Sequence, residues 1–163
     1  MKIRTQEEIQ TQKAKHNFRT MSIFLQQARF MKACGQTVDR LNDKQAAMYD
    51  NLIDEELAEL EEAIIRNNEE ETADAVIDSI VVLIGYGLSR GWPMKSLWDE
   101  VMSSNMEKID PKTGKVRKRS DGKVLKPKNW QPPNIKDVLG RHKNRMAIKI
   151  NREAEAKKQA KKK

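Results

Sequence analysis

The sequence predicts an all-α protein, a bundle of four to five helices with a basic loop and a Lys-rich C-terminal helix or tail. Three observations predict this class. Apolar residues recur at three- and four-residue steps over long windows, the period of a helix with one buried face. Glycines (7), prolines (5) and aromatic residues (5% of the chain) are scarce, while methionines number 8, a balance that favours helices over a sheet. Carboxylates also fall at helical spacing over residues 54–78, DEELAELEEAIIRNNEEETADAVID.

The elements follow in order. Residues 1–16 are polar and weakly patterned, a frayed helix or an arm. Over 18–33, Phe18, Met21, Leu25, Ala28 and Met31 or Lys32 mark an amphipathic helix, and Gly35 is a credible stop. A second helix starts near Asn42 and Asp43, both good N-caps, and runs to about Arg66. Its expected stripe is Met48 or Tyr49, Leu52 or Ile53, Leu57, Leu60 and Ile64. A third helix, about 69–89, is apolar nearly all round in its middle and is expected to be the most buried. Pro93 opens a fourth helix that should bury Leu97, Val101 and Trp98. Turn signals dominate 110–133, a loop with a small hairpin around Ser120, Asp121 and Gly122. A last helix begins near Ile135 and is expected to dissolve into a mobile Lys-rich end.

The chain of 163 residues suffices for one domain with a real core plus a tail. Its single cysteine, Cys34, excludes an intramolecular disulfide and fits a reducing cytosol. No apolar run approaches membrane-spanning length and no signal-type region is seen, so a soluble, cytoplasmic protein without membrane partners is expected. The net charge of +8 hides an asymmetry: residues 43–78 hold 13 acids against Lys44 and Arg66, whereas 105–128 hold nine bases against three acids. Residues 140–163 hold ten bases against two acids. Separate charge blocks suggest separate tasks, with the basic stretches suited to phosphate or nucleic acid and the acidic centre to metal.

Glu56 and Glu59 share a helix face flanked by Glu55, and Glu71, Asp74 and Asp78 share a face of the next helix. The connection around Asn67 and Asn68 is short, so the two helices should pack antiparallel and the two faces can converge. Charge runs on helices are usually solvated faces, the reading taken for Glu61, Glu62, Glu69 and Glu70. Asp74 and Asp78 differ, because they stand among Ala73, Val76, Ile77 and Ile80, where a carboxylate needs a partner. With almost no base nearby, a hard cation with oxygen ligands is the natural counter-charge.

The pattern Glu55-Glu56-x-x-Glu59, eleven residues, Glu71-x-x-Asp74 resembles the signature of the MazG-type all-α nucleoside triphosphate pyrophosphohydrolases, the superfamily of phosphoribosyl-ATP pyrophosphohydrolase. The stretch from Ser103 to Pro133, with its Asn-Met-x-Lys and Asp-Gly-Lys-Val-Leu-Lys segments, is similar to members of the phosphoribosyl-ATP pyrophosphohydrolase kind, phage-encoded ones included. The resemblance covers about 18–135. It implies a helical bundle completed by oligomerisation, a homodimer or homotetramer, and hydrolysis of a (d)NTP to (d)NMP and pyrophosphate by metal-activated water. It further implies Mg²⁺ (with Mn²⁺ as a substitute) on Glu56, Glu59, Glu71 and Asp74, and a catalytic role for Glu55 and Glu59 on the attacking water. Asp78 is kept as an outer support for the ligands. Asn105, Lys108, Lys123 and Lys126 are the implied substrate-binding residues. The domain division expected is an arm at 1–17, the pyrophosphohydrolase-like domain at 18–135 and a basic end at 136–163. A phage-encoded member would work in the host cytoplasm.

Two rival classes have sequence features of their own. A basic helical nucleic-acid binder would use the loop and tail, whose lysines suit phosphate backbones; it is not the favoured reading. A non-hydrolysing nucleotide sensor would have lost acidic positions, and all are present. His16, His142, Trp92, Trp98 and Trp130 read as surface or packing residues.

Overall fold

The computed structural model describes residues 20–160. These form α1 (Ile23–Ala33), α2 (Asp43–Ile65), α3 (Glu69–Ser89), α4 (Met94–Met106), a short ribbon of β1 (Ile109–Asp110) and β2 (Lys115–Val116), and α5 (Ile135–Ala160). The all-α class is therefore observed, with a two-stranded ribbon as the one sheet among the described residues. The expected arm at 1–17, and Phe18, lie outside those residues. The described chain divides after Gly91 into two compact units, so the span 18–135 runs across that division.

In the first unit, α2 and α3 form an antiparallel helical hairpin. Asn42 opens α2 by accepting from the Gln45 amide at 3.1 Å. Arg66 ends it, and Asn67 takes a left-handed φ of 52°, which Asn tolerates better than most residues. Asn68 then caps α3 by accepting from the Glu71 amide at 3.3 Å. The register is read from paired positions equidistant from Asn67. Gln45 and Ser89 lie 22 residues either side of it and are joined by a 2.7 Å hydrogen bond. Tyr49 and Gly85 lie 18 residues either side, and a Cβ on Gly85 would stand 2.1 Å from the Tyr49 ring. Gly85 is thus the residue that lets the ring lie flat on α3.

Gln45 is held from three sides. Its Nε2 donates to Ser89 Oγ and to the Thr37 carbonyl, and its Oε1 accepts from the Thr37 amide. Tyr49 donates to Gln36 Oε1 at 2.9 Å, and burial pushes its phenol above the ordinary range. α1, capped by Ser22, adds Met31 and Gln27 to this core and packs on α3.

Several burial expectations are corrected. On α2 the buried residues are Gln45, Ala46, Tyr49 and Ala63, whereas Leu57 and Ile64 are exposed. α3 is enclosed only in its last two turns, from Ile84 on. Before them a narrow seam of Ala75, Ser79 and Val82 is buried, while Val76, Ile77, Ile80 and Leu83 are 41, 58, 41 and 50% exposed. The reason is that α2 covers one side only, and small residues bring the two helices close. Asp74 and Asp78 are consequently exposed in this chain, so burial among apolar neighbours is not what makes them special. α3 is also long and apolar enough, by length and composition, to cross a membrane, contrary to the expectation that no segment reaches that length.

In the second unit, α4 packs against α5. α4 buries Ser104 rather than Val101 and Trp98, both exposed. The hairpin expected around Ser120 to Gly122 is present: a Lys118–Val124 bridge closes it, and the Arg119 amide donates to the Lys123 carbonyl. α5 begins at Ile135 as expected but continues as helix through Ala160.

Candidate active site

The carboxylates occupy the end of the α2–α3 hairpin nearest the turn. Antiparallel pairing places Glu56 and Asp78 each 11 residues from Asn67, directly across from one another. Glu59 and Asp74 lie eight and seven residues from it, one helical turn closer to the connection. The electrostatics agree with this placement. Glu56 is half-buried, and its carboxyl is held above the ordinary value of 4.5, first by desolvation and then by the charges of Asp78, Glu59, Glu55 and Asp74. Five of the six acidic positions singled out in the sequence therefore share one electrostatic neighbourhood.

Glu71 is placed differently. It stands four residues from Asn67, about 10 Å along the helix axis from the level of Glu56. With Asn68, Glu70, Ala73, Asp74 and Ile77 it lines a hollow of about 700 Å³. Asp74 belongs to both groups and links them. Among the described residues, none of these six carboxylates forms an ion pair; Arg66, one of the two bases in the acidic stretch, is engaged by Glu62. Nor do three of them, among the described residues, stand together as a ready-made metal shell. The site is a concentration of uncompensated negative charge on two facing helices.

Asp78, expected as an outer support for the ligands, stands opposite Glu56. Of the neighbouring carboxylates it acts most strongly on Glu56. Its signal was available in the counting of equal distances from the turn.

The second unit carries a cationic group of its own. Lys108, just beyond α4, donates from Nζ to Asn105 Oδ1 at 2.7 Å. Its ammonium also lies 5.1 Å from the centre of the Trp130 ring, and that of Lys126 lies 4.0 Å from it. Trp130 is anchored by donating from Nε1 to the Ser104 carbonyl at 2.8 Å. Lys108 and Lys126 are thus gathered around one indole by cation–π attraction, and Asn105 is tied to the group through Lys108. Lys123 sits instead in the hairpin turn, its amide donating to Asp121 Oδ1 at 3.1 Å. Arg119 holds the Asp121 carboxyl below its usual range. Trp130, read from sequence as a packing residue, is the organiser of this group.

Residues 29–105 match the family model of phosphoribosyl-ATP pyrophosphohydrolase. This segment is similar to that family. The match takes in every acidic position above and ends at Asn105, so the matched segment contains the carboxylate end of the hairpin and stops short of Lys108, the loop and α5. The chemical class it points to is hydrolysis of a nucleotide anhydride bond. A comparison with curated proteins finds no match.

Proposed function

We propose that the protein is a Mg²⁺-dependent nucleoside triphosphate pyrophosphohydrolase that converts a (d)NTP to (d)NMP and pyrophosphate. The observation that carries this reading is the convergence of Glu55, Glu59, Asp74 and Asp78 on Glu56, whose carboxyl is lifted first by desolvation and then by their charge. The donors are all carboxylate oxygens, the chemistry that suits a hard cation. Such a cation would relieve the repulsion that lifts Glu56. Glu56, Glu59, Glu71 and Asp74 are the proposed ligands, for Mg²⁺ or Mn²⁺ in its place. Their spread along the hairpin means that binding draws them together. When bound, the ion supplies neutralisation of phosphoryl oxygens and acidity for a water.

The remaining steps fall to this chain's own groups. Glu55 or Glu59 orients the attacking water and takes its proton. The water oxygen bonds to the α-phosphorus as the bond to the β-phosphate oxygen breaks, and pyrophosphate leaves. Asn105, Lys108, Lys123 and Lys126 are the proposed contacts to substrate, and Trp130 restrains Lys108 and Lys126. Asp78 supports Glu56 from across the hairpin.

The region assigned to this reaction is 18–135. The apolar face left open by Val76, Ile77, Ile80 and Leu83 is the surface we assign to a second copy of the chain. Cytoplasmic nucleotide pools, those of a host cell for a phage-encoded protein, are where its substrate is met. The test is pyrophosphate release from each dNTP and NTP, with and without Mg²⁺. Metal-dependent release from at least one nucleotide is expected, and release from none overturns the reading.

A further inference from the structure

The division after Gly91 also divides the charge. The unit up to Gly91 holds 11 Lys and Arg against 16 Asp and Glu, while the unit from Trp92 holds 21 against eight, a formal +13. Much of that excess lies on α5, beyond the family match. α5 packs through Ile135, Val138, Leu139, His142 and Met146, steps of three and four that make one stripe. The stripe ends at Met146. From Ala147 to Ala160 every residue is exposed, about 21 Å of helix that is not covered by any of the described residues.

Bases line this helix in register. Arg141, Arg145, Lys149 and Arg152 follow at steps of four, four and three, so they share a face about 16 Å long. Arg141 and Lys149 are paired within the helix, to Asp137 at 3.0 Å and Glu153 at 3.9 Å. Arg145 and Arg152 have no ion pair among the described residues. Arg141 and Arg145 also border a hollow of about 370 Å³ with Asp99 and Glu100, so the inner part of the stripe has carboxylates nearby. Farther out the bases are Lys149 and Arg152 on this face and Lys157 and Lys158 on other sides of the helix, and the only acids in residues 147–160 are Glu153 and Glu155.

The chemistry of the partner follows from what this segment lacks. A membrane-surface helix needs an apolar face. Here Ile148 and Ile150, two residues apart, point in different directions. Single-stranded nucleic acid is held largely by stacking on aromatic rings, and 135–160 contains none. What remains is a row of exposed cations on a free helix. We infer that the outer half of α5 binds the phosphate backbone of duplex nucleic acid without reading its sequence. A lone helix of this width enters the major groove of B-DNA, about 12 Å across, and places cations along the flanking phosphates.

The test uses the full chain and a labelled 24-base-pair DNA duplex, read by fluorescence anisotropy in EDTA without nucleotide. It therefore does not depend on hydrolysis. Binding at 50 mM NaCl should weaken linearly on a log–log scale as salt rises, with a slope near −3.6 for about four phosphates neutralised. The variant Lys149→Gln/Arg152→Gln/Lys157→Gln/Lys158→Gln removes charge where nothing packs. It should bind at least about tenfold more weakly with a flatter slope, and release pyrophosphate as the parent does. Lys149→Arg/Lys157→Arg/Lys158→Arg should retain affinity. No binding at 50 mM NaCl, unchanged affinity and slope in the Gln variant, or tighter binding to phosphatidylserine vesicles than to the duplex would each overturn the inference.

Discussion

The two ends of the α2–α3 hairpin are built from the same pair of helices and do opposite things. Far from the turn, Gln45–Ser89 and Tyr49–Gly85 fix the register with buried hydrogen bonds and a ring laid on a glycine. Near the turn, in the same register, Glu56 meets Asp78 and Glu59 lies close to the level of Asp74, with no ion pair to any of them among the described residues. One end gains stability from close packing. The other carries repulsion that no described side chain relieves. The difference separates scaffold from candidate site: the packing of the far end holds like charges face to face at the near end.

Substitutions should separate the two ends. The largest effect is expected for Glu59→Ala, which should lower pyrophosphate release by about 10²–10⁴-fold, the range for a positioned acid or base, with thermal stability unchanged. At the far end, Gly85→Ala drives a methyl into the Tyr49 ring and should destabilise the fold by about 1–3 kcal/mol, measured by urea unfolding. Gln45→Ala leaves the Thr37 amide and carbonyl and Ser89 short of a partner and should also cost about 1–3 kcal/mol. Finding either far-end variant as stable as the parent would mean that the register is held elsewhere.

How much of this was legible beforehand differs between the ends. Asn42 and Asn68 as caps, Gly35 as a stop and the acidic spacing are local signals, and helices α2 and α3 fell where these placed them. The similarity to phosphoribosyl-ATP pyrophosphohydrolase was legible too, in the acidic pattern joined to the Asn-Met-x-Lys and Asp-Gly-Lys-Val-Leu-Lys segments. The core was not. Leu57, Ile64, Val76 and Ile77 carry the expected period yet are exposed, because period says which residues share a face and not whether a partner covers it. Gln45 and Gly85 were invisible for the converse reason: their importance lies in contacts 44 and 36 residues away along the chain. The lysines over Trp130 were not legible, because Lys108 and Lys126 arrive from two segments.

The smallest effect sharpens the comparison most finely. A carboxyl lifted above its ordinary value opposes folding once it is ionised. The penalty of Glu56 is therefore present at neutral pH and fades as pH falls through the raised value toward 4.5. Glu56→Gln should stabilise the metal-free protein at pH 7 by about 0.2–0.5 kcal/mol, the scale of one like-charge helix pair, and the gain should vanish near pH 4. Adding Mg²⁺ should stabilise the parent and not the variant.

The most direct measurement of the central claim is pyrophosphate release by the parent protein and by Glu59→Ala, side by side, with Mg²⁺ and the best nucleotide of the panel. The account predicts turnover by the parent and its near-complete loss in the variant at unchanged melting temperature. Equal turnover by the two would contradict it.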